Sequence, residues 1–244
     1  MRRGLIYGLK KFWSEVFSGD LLILFFSIVL AVTSISSVGF LGDRLQSSMQ
    51  MQASTMLGAD LVLRSTSQID PEFLAKAKES NLNWAETTTF LSMVITEDDN
   101  LLTSVKAVTD SYPLRGELKI VNFNGIQIEH SGSPPSGKIW IEKKISESLG
   151  LYQSDTLSIG NKNFIVEGII QDYPDRNSSF VGFYPIVIAN IVDVEEMGVI
   201  QTGSRVVYRK LFSGTQDNLN RCLLYTSDAA DDTPCVDLGG RRII

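Results

Sequence analysis

Few side chains in this chain of 244 residues have the types and spacing that catalysis requires. His130 is the single histidine, and it stands beside the Gly- and Pro-rich stretch 131–137. A catalytic triad or a zinc site needs partner groups at a readable spacing. Both cysteines, Cys222 and Cys235, lie near the C-terminus. We therefore expect His130 to be a solvated loop residue.

Two further patterns suggest chemistry, but each has a simpler interpretation. Ser104 and Lys106 would share one face of a strand, whereas a Ser–Lys dyad normally draws its groups from separate elements. We predict that both lie on the surface. The acidic run EDDN at 97–100 could serve as a cation or acid–base site, yet such turns are usually solvated tips.

The sequence contains no complete Walker motif, Gly-x-x-x-x-Gly-Lys-Ser/Thr, because GSPPSGK at 132–138 is followed by Ile139, so we predict that the chain is not itself an ATPase. Together these patterns predict no catalytic, cofactor-binding or metal-binding residue.

The chain is organised around residues 21–42, LLILFFSIVLAVTSISSVGFLG, which carry no charge. As a helix this stretch would reach roughly 33 Å, enough to cross the hydrocarbon core of a bilayer. We place the ends of the span at Leu21 and Leu41. Because the stretch is longer than a signal-peptide core and no Ala-x-Ala site follows, we predict an uncleaved anchor.

Charges before the span predict its orientation. Basic residues close to a span are retained in the cytoplasm, and Arg2, Arg3, Lys10 and Lys11 lie in residues 1–20. The N-terminus is therefore predicted inside, with the main domain outside.

Small hydroxyl side chains in the outer half of the span are candidates for packing against other spans; they are Thr33, Ser34, Ser36 and Ser37. A lone anchor tolerates such a face as well. Asp43 and Arg44 begin a predicted helical stalk over 43–57, whose Leu45, Met49 and Leu57 would pack on the outer domain.

The remainder reads as an α+β domain over 58–220. Predicted strands cover 59–64, 138–141, 154–158, 163–171, 185–191 and 205–212, and predicted helices begin at Pro71, at Glu142 and at Val192. Residues 87–96 and 101–108 form a predicted hairpin. Asn124-Gly125 predicts a two-residue type I′ turn between 118–123 and 126–129, and 173–182 is predicted to be a polar loop.

The tail at 221–244 does not resemble the rest of the chain. CLLYTSDAAD and VDLGGRRII back-translate to strings that resemble the reverse complement of a transposase-type sequencing adapter. We expect this tail to be an adapter-derived artefact without fixed structure. A genuine acidic, disordered C-terminus is the alternative. The full chain has a net charge of −6, and residues 222–244 hold four Asp and two Arg, which leaves −4 before them. Such mild acidity disfavours a nucleic-acid partner.

Three classes of function are compatible with these residues. The first is a transporter or mechanotransmission subunit whose outer domain handles a substrate or partner. The second is a single-span, membrane-anchored binding or scaffold protein. The third, an anchored extracytoplasmic hydrolase, is disfavoured because the catalytic set is missing.

Several strings resemble one known family. GDLLILFFSIVLAV is followed by GDRLQSSMQ and GADLVLRS, and later by SVKAVTDSYPLRGEL and QTGSRVVYRKLF. This series is similar to the N-terminal part of FtsX/MacB-like ABC permeases, most closely the YbbP-like branch, from the span to about Asn220. The strings are not known catalytic motifs.

The resemblance implies one N-terminal span, an outer domain like the MacB periplasmic core, and three further spans in the bacterial inner membrane. It also implies a cytoplasmic ATP-binding subunit, a second permease copy and an esterase-type periplasmic partner. The implied activity is export or extraction of hydrophobic, lipid-like molecules. This chain departs from the family by stopping after the outer domain.

Overall fold

The computed structural model describes residues 19–128, 130, 132–176, 183–201, 203–215, 217–219, 235–238 and 241–242. The basic N-terminal segment 1–18 lies outside these residues. The chain divides into two compact units, Met1–Met49 and Gln50–Ile244.

Helices and strands are mixed along the chain, as predicted for an α+β domain. The helices are α1 (Gly19–Leu57), α2 (Pro71–Glu79), α3 (Lys143–Leu149) and α4 (Val194–Met197), with a 3₁₀ turn at Ile191–Asp193 before α4. The strands are β1 (Leu61–Ser65), β2 (Asn83–Ile95), β3 (Asn100–Val108), β4 (Lys119–Val121), β5 (Lys138–Glu142), β6 (Thr156–Ile159), β7 (Lys162–Asp172), β8 (Ile186–Asn190), β9 (Val206–Ser213), β10 (Cys235–Leu238) and β11 (Arg241–Arg242).

Helix α1 is unbroken over 39 residues and includes the predicted span and the predicted stalk. Its segment Ile23–Gln46 is long and apolar enough to cross a membrane, and it is the one such helix in the part of the chain that the structure describes. The hydroxyls of Thr33 and Ser34 donate to helix carbonyls one turn back, at Val29 (2.7 Å) and Leu30 (2.8 Å). They therefore need no external acceptor, and their packing against other spans stays a prediction, as it does for Ser36 and Ser37.

Six strands of the second unit close into a ring. The pairings run β2–β3–β8–β5–β7–β6 and return to β2, where Val94 and Ile95 face Ile159 and Ser158. Alternate residues of each strand point to one side, which fills the interior with apolar side chains: Phe90, Val94, Val105, Ile139, Ile141, Leu157, Ile159, Phe164, Val166, Val187 and Ala189. Burying each large side chain stabilises the ring by about 1.5–3 kcal/mol.

Beyond the ring the sheet continues through the first half of β2. There β9 pairs with β2, and β1 pairs with β9. A second apolar cluster covers the outer face of the sheet and includes Tyr112, Trp140 and Ile188.

The end of the predicted tail differs from the expectation of disorder. Strand β10 pairs antiparallel with β1, from Leu61 opposite Leu238 to Arg64 opposite Cys235. The reason is that β1 presents an edge of unpaired backbone donors and acceptors, which a short extended segment can satisfy. The adapter origin of the tail stays a prediction.

The turn after β4 also differs from the prediction. Gly125 has φ +80°, but Asn124 is not among the residues with positive φ, which a type I′ turn requires at both positions. Gly125 N donates to Asn122 O (2.9 Å) and Asn122 N to Ile126 O (2.8 Å). The loop is therefore one residue longer, a type I turn that ends in a left-handed glycine.

Two glycines of similar backbone conformation provide a matched pair for testing the ring. A Cβ on Gly160 (φ +59°) would lie 2.1 Å from the carbonyl oxygen of Met197, whereas a Cβ on Gly125 would meet nothing within 4 Å. We expect Gly125→Ala to cost about 1–2 kcal/mol of left-handed strain, and Gly160→Ala to cost clearly more. Thermal unfolding of the chain in detergent measures both, and equal midpoints would contradict this packing.

Candidate functional site: the joint between helix and sheet

The C-terminal end of α1 is fixed to the domain by hydrogen bonds. The helix ends at Gly58, whose φ of +71° reverses the chain. The backbone N–H groups of Leu114 and Arg115 both donate to the carbonyl oxygen of Gly58, at 3.0 and 2.9 Å. Carbonyls at a helix end lack partners within the helix, so the loop at 114–116 completes this end.

Asp60 ties three segments together immediately after the helix. Arg115 donates to its carboxylate through Nε (3.0 Å) and Nη2 (2.8 Å), and the Gly214 N–H donates at 3.2 Å. Its own N–H donates to Phe212 O at 3.1 Å. A two-pronged guanidinium–carboxylate pair fixes orientation as well as distance. The hydrogen bond with Asp60 is the main factor that raises the pKa of Arg115.

The segment 173–176 lies against the same joint. A Cβ on Gly116 would lie 3.3 Å from Pro174 and 3.2 Å from the carbonyl oxygen of Thr55 in α1. Gly116 has φ +81°, so a side chain there would be strained as well as crowded. We call the set Gly58, Asp60, Arg115, Gly116 and Pro174 the joint.

Next to the joint is a buried charge cluster around Asp175. The Asp175 carboxylate accepts hydrogen bonds from Lys106 Nζ, from Tyr112 Oη (2.8 Å) and from Arg209 Nη1 (2.9 Å). The side chains of Lys106 and Asp175 are only 4% and 2% exposed. Lys106 comes from β3 and Arg209 from β9, so one carboxylate links two strands that are separated by β2.

Burial and charge set the titration of this cluster. Burial lowers the pKa of Lys106, and the Asp175 carboxylate opposes that shift. Burial first, and then the charge of Asp175, raise the pKa of Tyr112 well above its ordinary value. Burial likewise raises the pKa of the neighbouring Tyr173 to about 12.

The structure corrects the surface placement predicted for Ser104 and Lys106. Both are 3% exposed, because the loop at 109–116 and the segment 173–176 cover this face of the sheet. The sequence signal that could have indicated this burial is the apolar and β-branched surroundings of the lysine in LLTSVKAV. Asp175 was missed because the stretch 173–182 has the composition of an ordinary polar loop.

His130 is half-buried rather than solvated. It lines a cavity of about 640 Å³ with Asp110, Ser133, Trp140 and other residues. Its Nδ1 accepts from Gly132 N (3.2 Å), so its Nε2 carries the proton that is donated to Leu118 O (2.9 Å). The hydroxyl of Ser133 donates to Asp110. Because the imidazole, among the described residues, bonds only backbone groups and the serine donates to the aspartate, these three residues do not form a catalytic triad.

The other candidate groups have simple surroundings. Glu97, Asp98 and Asp99 are exposed at the hairpin tip, as predicted. Within the described ranges, no group of three or more His, Cys, Asp or Glu side chains could hold a metal ion. Asp43 and Arg44 lie in α1, where the Arg44 guanidinium lies 5.6 Å from the ring centre of Phe40. Leu57 packs against the outer-face cluster; the packing of Leu45 and Met49 stays a prediction.

The fold of the sheet domain that follows the apolar helix resembles that of MacB-type periplasmic domains. The periplasmic region of MacB from Actinobacillus actinomycetemcomitans superposes with a TM-score of 0.50 and 10% identity, over 76% of this chain and 92% of that one. The extracellular domain of the ABC-type transporter YknZ from Gram-positive bacteria superposes with a TM-score of 0.47 and 9% identity, over 73% of this chain and 98% of that one. The predicted MacB-like fold is confirmed.

The sequence is similar to that of the ABC transporter permease YbbP of Escherichia coli K12, with 29% identity over 211 residues. No family model matches the chain. The aligned region covers 86% of this chain but only 25% of YbbP, so the chain spans about a quarter of the length of that relative. The resemblance to ABC permeases, inferred from the sequence strings, is confirmed.

The charge cluster can be tested by neutralising its acid. Asp175→Asn keeps the side-chain shape, and asparagine tolerates the φ of +59° at this position. It leaves the Lys106 and Arg209 cations without this carboxylate, and removing one partner of a buried pair costs about 3–5 kcal/mol. Asp99→Asn, at the exposed tip, should change stability by less than about 0.5 kcal/mol. Urea unfolding in detergent compares the two, and equal stabilities would contradict the buried cluster.

Stability in alkali should report Tyr112. Between pH 10 and its raised pKa, the folded chain holds a proton that the unfolded chain has lost, so the free energy of unfolding falls as pH rises. Lys106 acts in the opposite sense, but only below its ordinary pKa of 10.5. Above pH 10.5 we expect a fall that is shallower in Tyr112→Phe, measured by thermal unfolding across pH. A slope identical to that of the parent chain would refute the assignment.

Proposed function

We propose that this chain is the N-terminal part of the permease subunit of an FtsX/MacB-type ABC transporter. In this proposal, α1 carries movement driven by a separate ATP-binding subunit to the outer domain, and the intact protein exports or extracts a hydrophobic, lipid-like molecule. The observation that carries the proposal is the unbroken helix that ends inside the joint. Similarity to YbbP and the MacB-like fold support it.

The contacts provide a route for such movement. A displacement of Gly58 acts on the loop at 114–116 through two hydrogen bonds, and on β1 and β9 through Asp60. Pro174 lies against Gly116, and the next residue, Asp175, bonds β3 and β9. Since β3 belongs to the closed ring, the movement reaches the rest of the domain without passing through a flexible linker.

The remaining assignments belong to the same proposal. Residues 1–20 are cytoplasmic, 21–42 span the bacterial inner membrane, 43–57 form the stalk beginning with Asp43 and Arg44, and 58–220 lie in the periplasm. Contacts with further spans involve the small hydroxyl residues Thr33, Ser34, Ser36 and Ser37. A second permease copy, an ATP-binding subunit, an esterase-type partner and membrane lipid are the proposed partners.

The gene provides the first test. The reading frame should continue past the codon for Asn220 into three more apolar stretches once the adapter-like sequence is trimmed from the reads. A stop codon directly after Asn220 would instead make this a single-span anchored binding or scaffold protein. An independent clone that retains the CLLYTSDAAD codons would refute the adapter origin of the tail.

Coupling through the joint is tested in the full-length permease, assembled with its ATP-binding subunit. A spin label at Glu147→Cys, on an exposed position of α3, should report an ATP-dependent change in distance between the outer domains of two copies. Asp60→Asn should reduce that change by about half or more while ATP hydrolysis continues, because charge-assisted bonds are the stronger ones. Asp98→Asn, away from the joint, should behave like the parent. An unchanged response in Asp60→Asn would reject the joint as the route.

A further inference from the structure

The β2–β3 hairpin buries several of its polar residues and leaves four of its apolar residues partly exposed. Thr87, Thr89 and Thr103 are at most 6% exposed, and the Thr87 hydroxyl has no hydrogen-bond partner among the residues described. On the same strands Leu91, Met93, Ile95 and Leu102 are 37–47% exposed. We call these four residues the hairpin patch.

The register makes the patch continuous. Leu91, Met93 and Ile95 are successive outward positions of β2, and Leu102 of β3 lies directly opposite Met93. Such cross-strand neighbours have Cβ atoms about 5 Å apart. On the other side of β3, β8 runs parallel from Ser104 opposite Ile186, so the patch lies at the end of β3 before this pairing begins.

Strand formation does not require apolar residues at these positions. Threonine favours strands as strongly, and this hairpin uses it where the sheet is covered. Single exposed leucines are ordinary, whereas a contiguous apolar patch bordered by polar residues marks an interaction surface. The patch is therefore expected to be covered in a complex.

The charges beside the patch indicate what covers it. Glu97, Asp98 and Asp99 project from the hairpin tip and are exposed, and the chain before residue 222 carries a net charge of −4. A second copy would bring like charges together, and an anionic lipid surface would be repelled. A protein whose apolar face is bordered by cations fits both features.

We propose that the hairpin patch is the docking surface for a protein partner that presents an apolar face bordered by Lys or Arg. The patch packs apolar side chains, and the acidic tip orients the partner. This inference goes beyond the transport proposal, and its test needs no ATP and no transported substrate.

The test uses the full chain in nanodiscs of zwitterionic lipid, titrated with a fluorescent amphipathic helical peptide made of Leu and Lys. Met93→Thr/Leu102→Thr should weaken binding about tenfold, as expected when central contacts are lost. The matched control Ile165→Thr alters an apolar residue that is 45% exposed on β7, outside the patch, and should bind like the parent. Replacing Lys by Glu in the peptide should also weaken binding about tenfold, because like charges then meet.

Other outcomes overturn the proposal. One is an absence of peptide binding, and another is equal binding by the parent and the double variant. A dimer in sedimentation that the double variant loses would assign the patch to a second copy. Binding to phosphatidylglycerol vesicles that the double variant loses would assign it to a membrane.

Discussion

The Asp175 carboxylate is the contact on which the organisation of this domain depends. The backbone of Asp175 is held in a left-handed conformation that only few residue types adopt readily. Its carboxylate accepts hydrogen bonds from cations of β3 and β9 and from the hydroxyl of Tyr112. Buried cations are tolerated when a carboxylate accompanies them. The segment that supplies this carboxylate also supplies Pro174. The neutralisation of the buried cations and the packing at the helix end therefore depend on the same short segment.

Strand β2 explains how a closed ring and an open sheet coexist in one domain. Its first half pairs with β9, and its last residues pair with β6 on the same side. The C-terminal half of β2 thus belongs to the ring, while its N-terminal half connects the ring, through β9, to β1 and the helix end. A single strand therefore joins the apolar core of the ring to the joint.

Local signals predicted much of this structure from the sequence. Pro71 begins α2, Gly150 ends α3, and the charge-free stretch after Asp20 lies within α1, because each depends on backbone preferences or periodicity. The Lys106–Asp175 pair could not be predicted, since its members are far apart in sequence and lysine ordinarily lies on the surface. The predicted type of the turn at Asn124-Gly125 was wrong because a glycine in the left-handed conformation suits a two-residue and a three-residue loop equally well.

The outer edge of β1 has a consequence for handling the protein. Its donors and acceptors over Leu61–Arg64 are occupied by Cys235–Leu238, whereas the ring strands β2, β3, β8, β5, β7 and β6 are bonded around a closed circuit. A shortened chain without the tail would present one bare strand edge to its neighbours. Because bare edges template intermolecular sheets, the solubility of a shortened chain would be governed at β1, where a charged or proline residue would protect it.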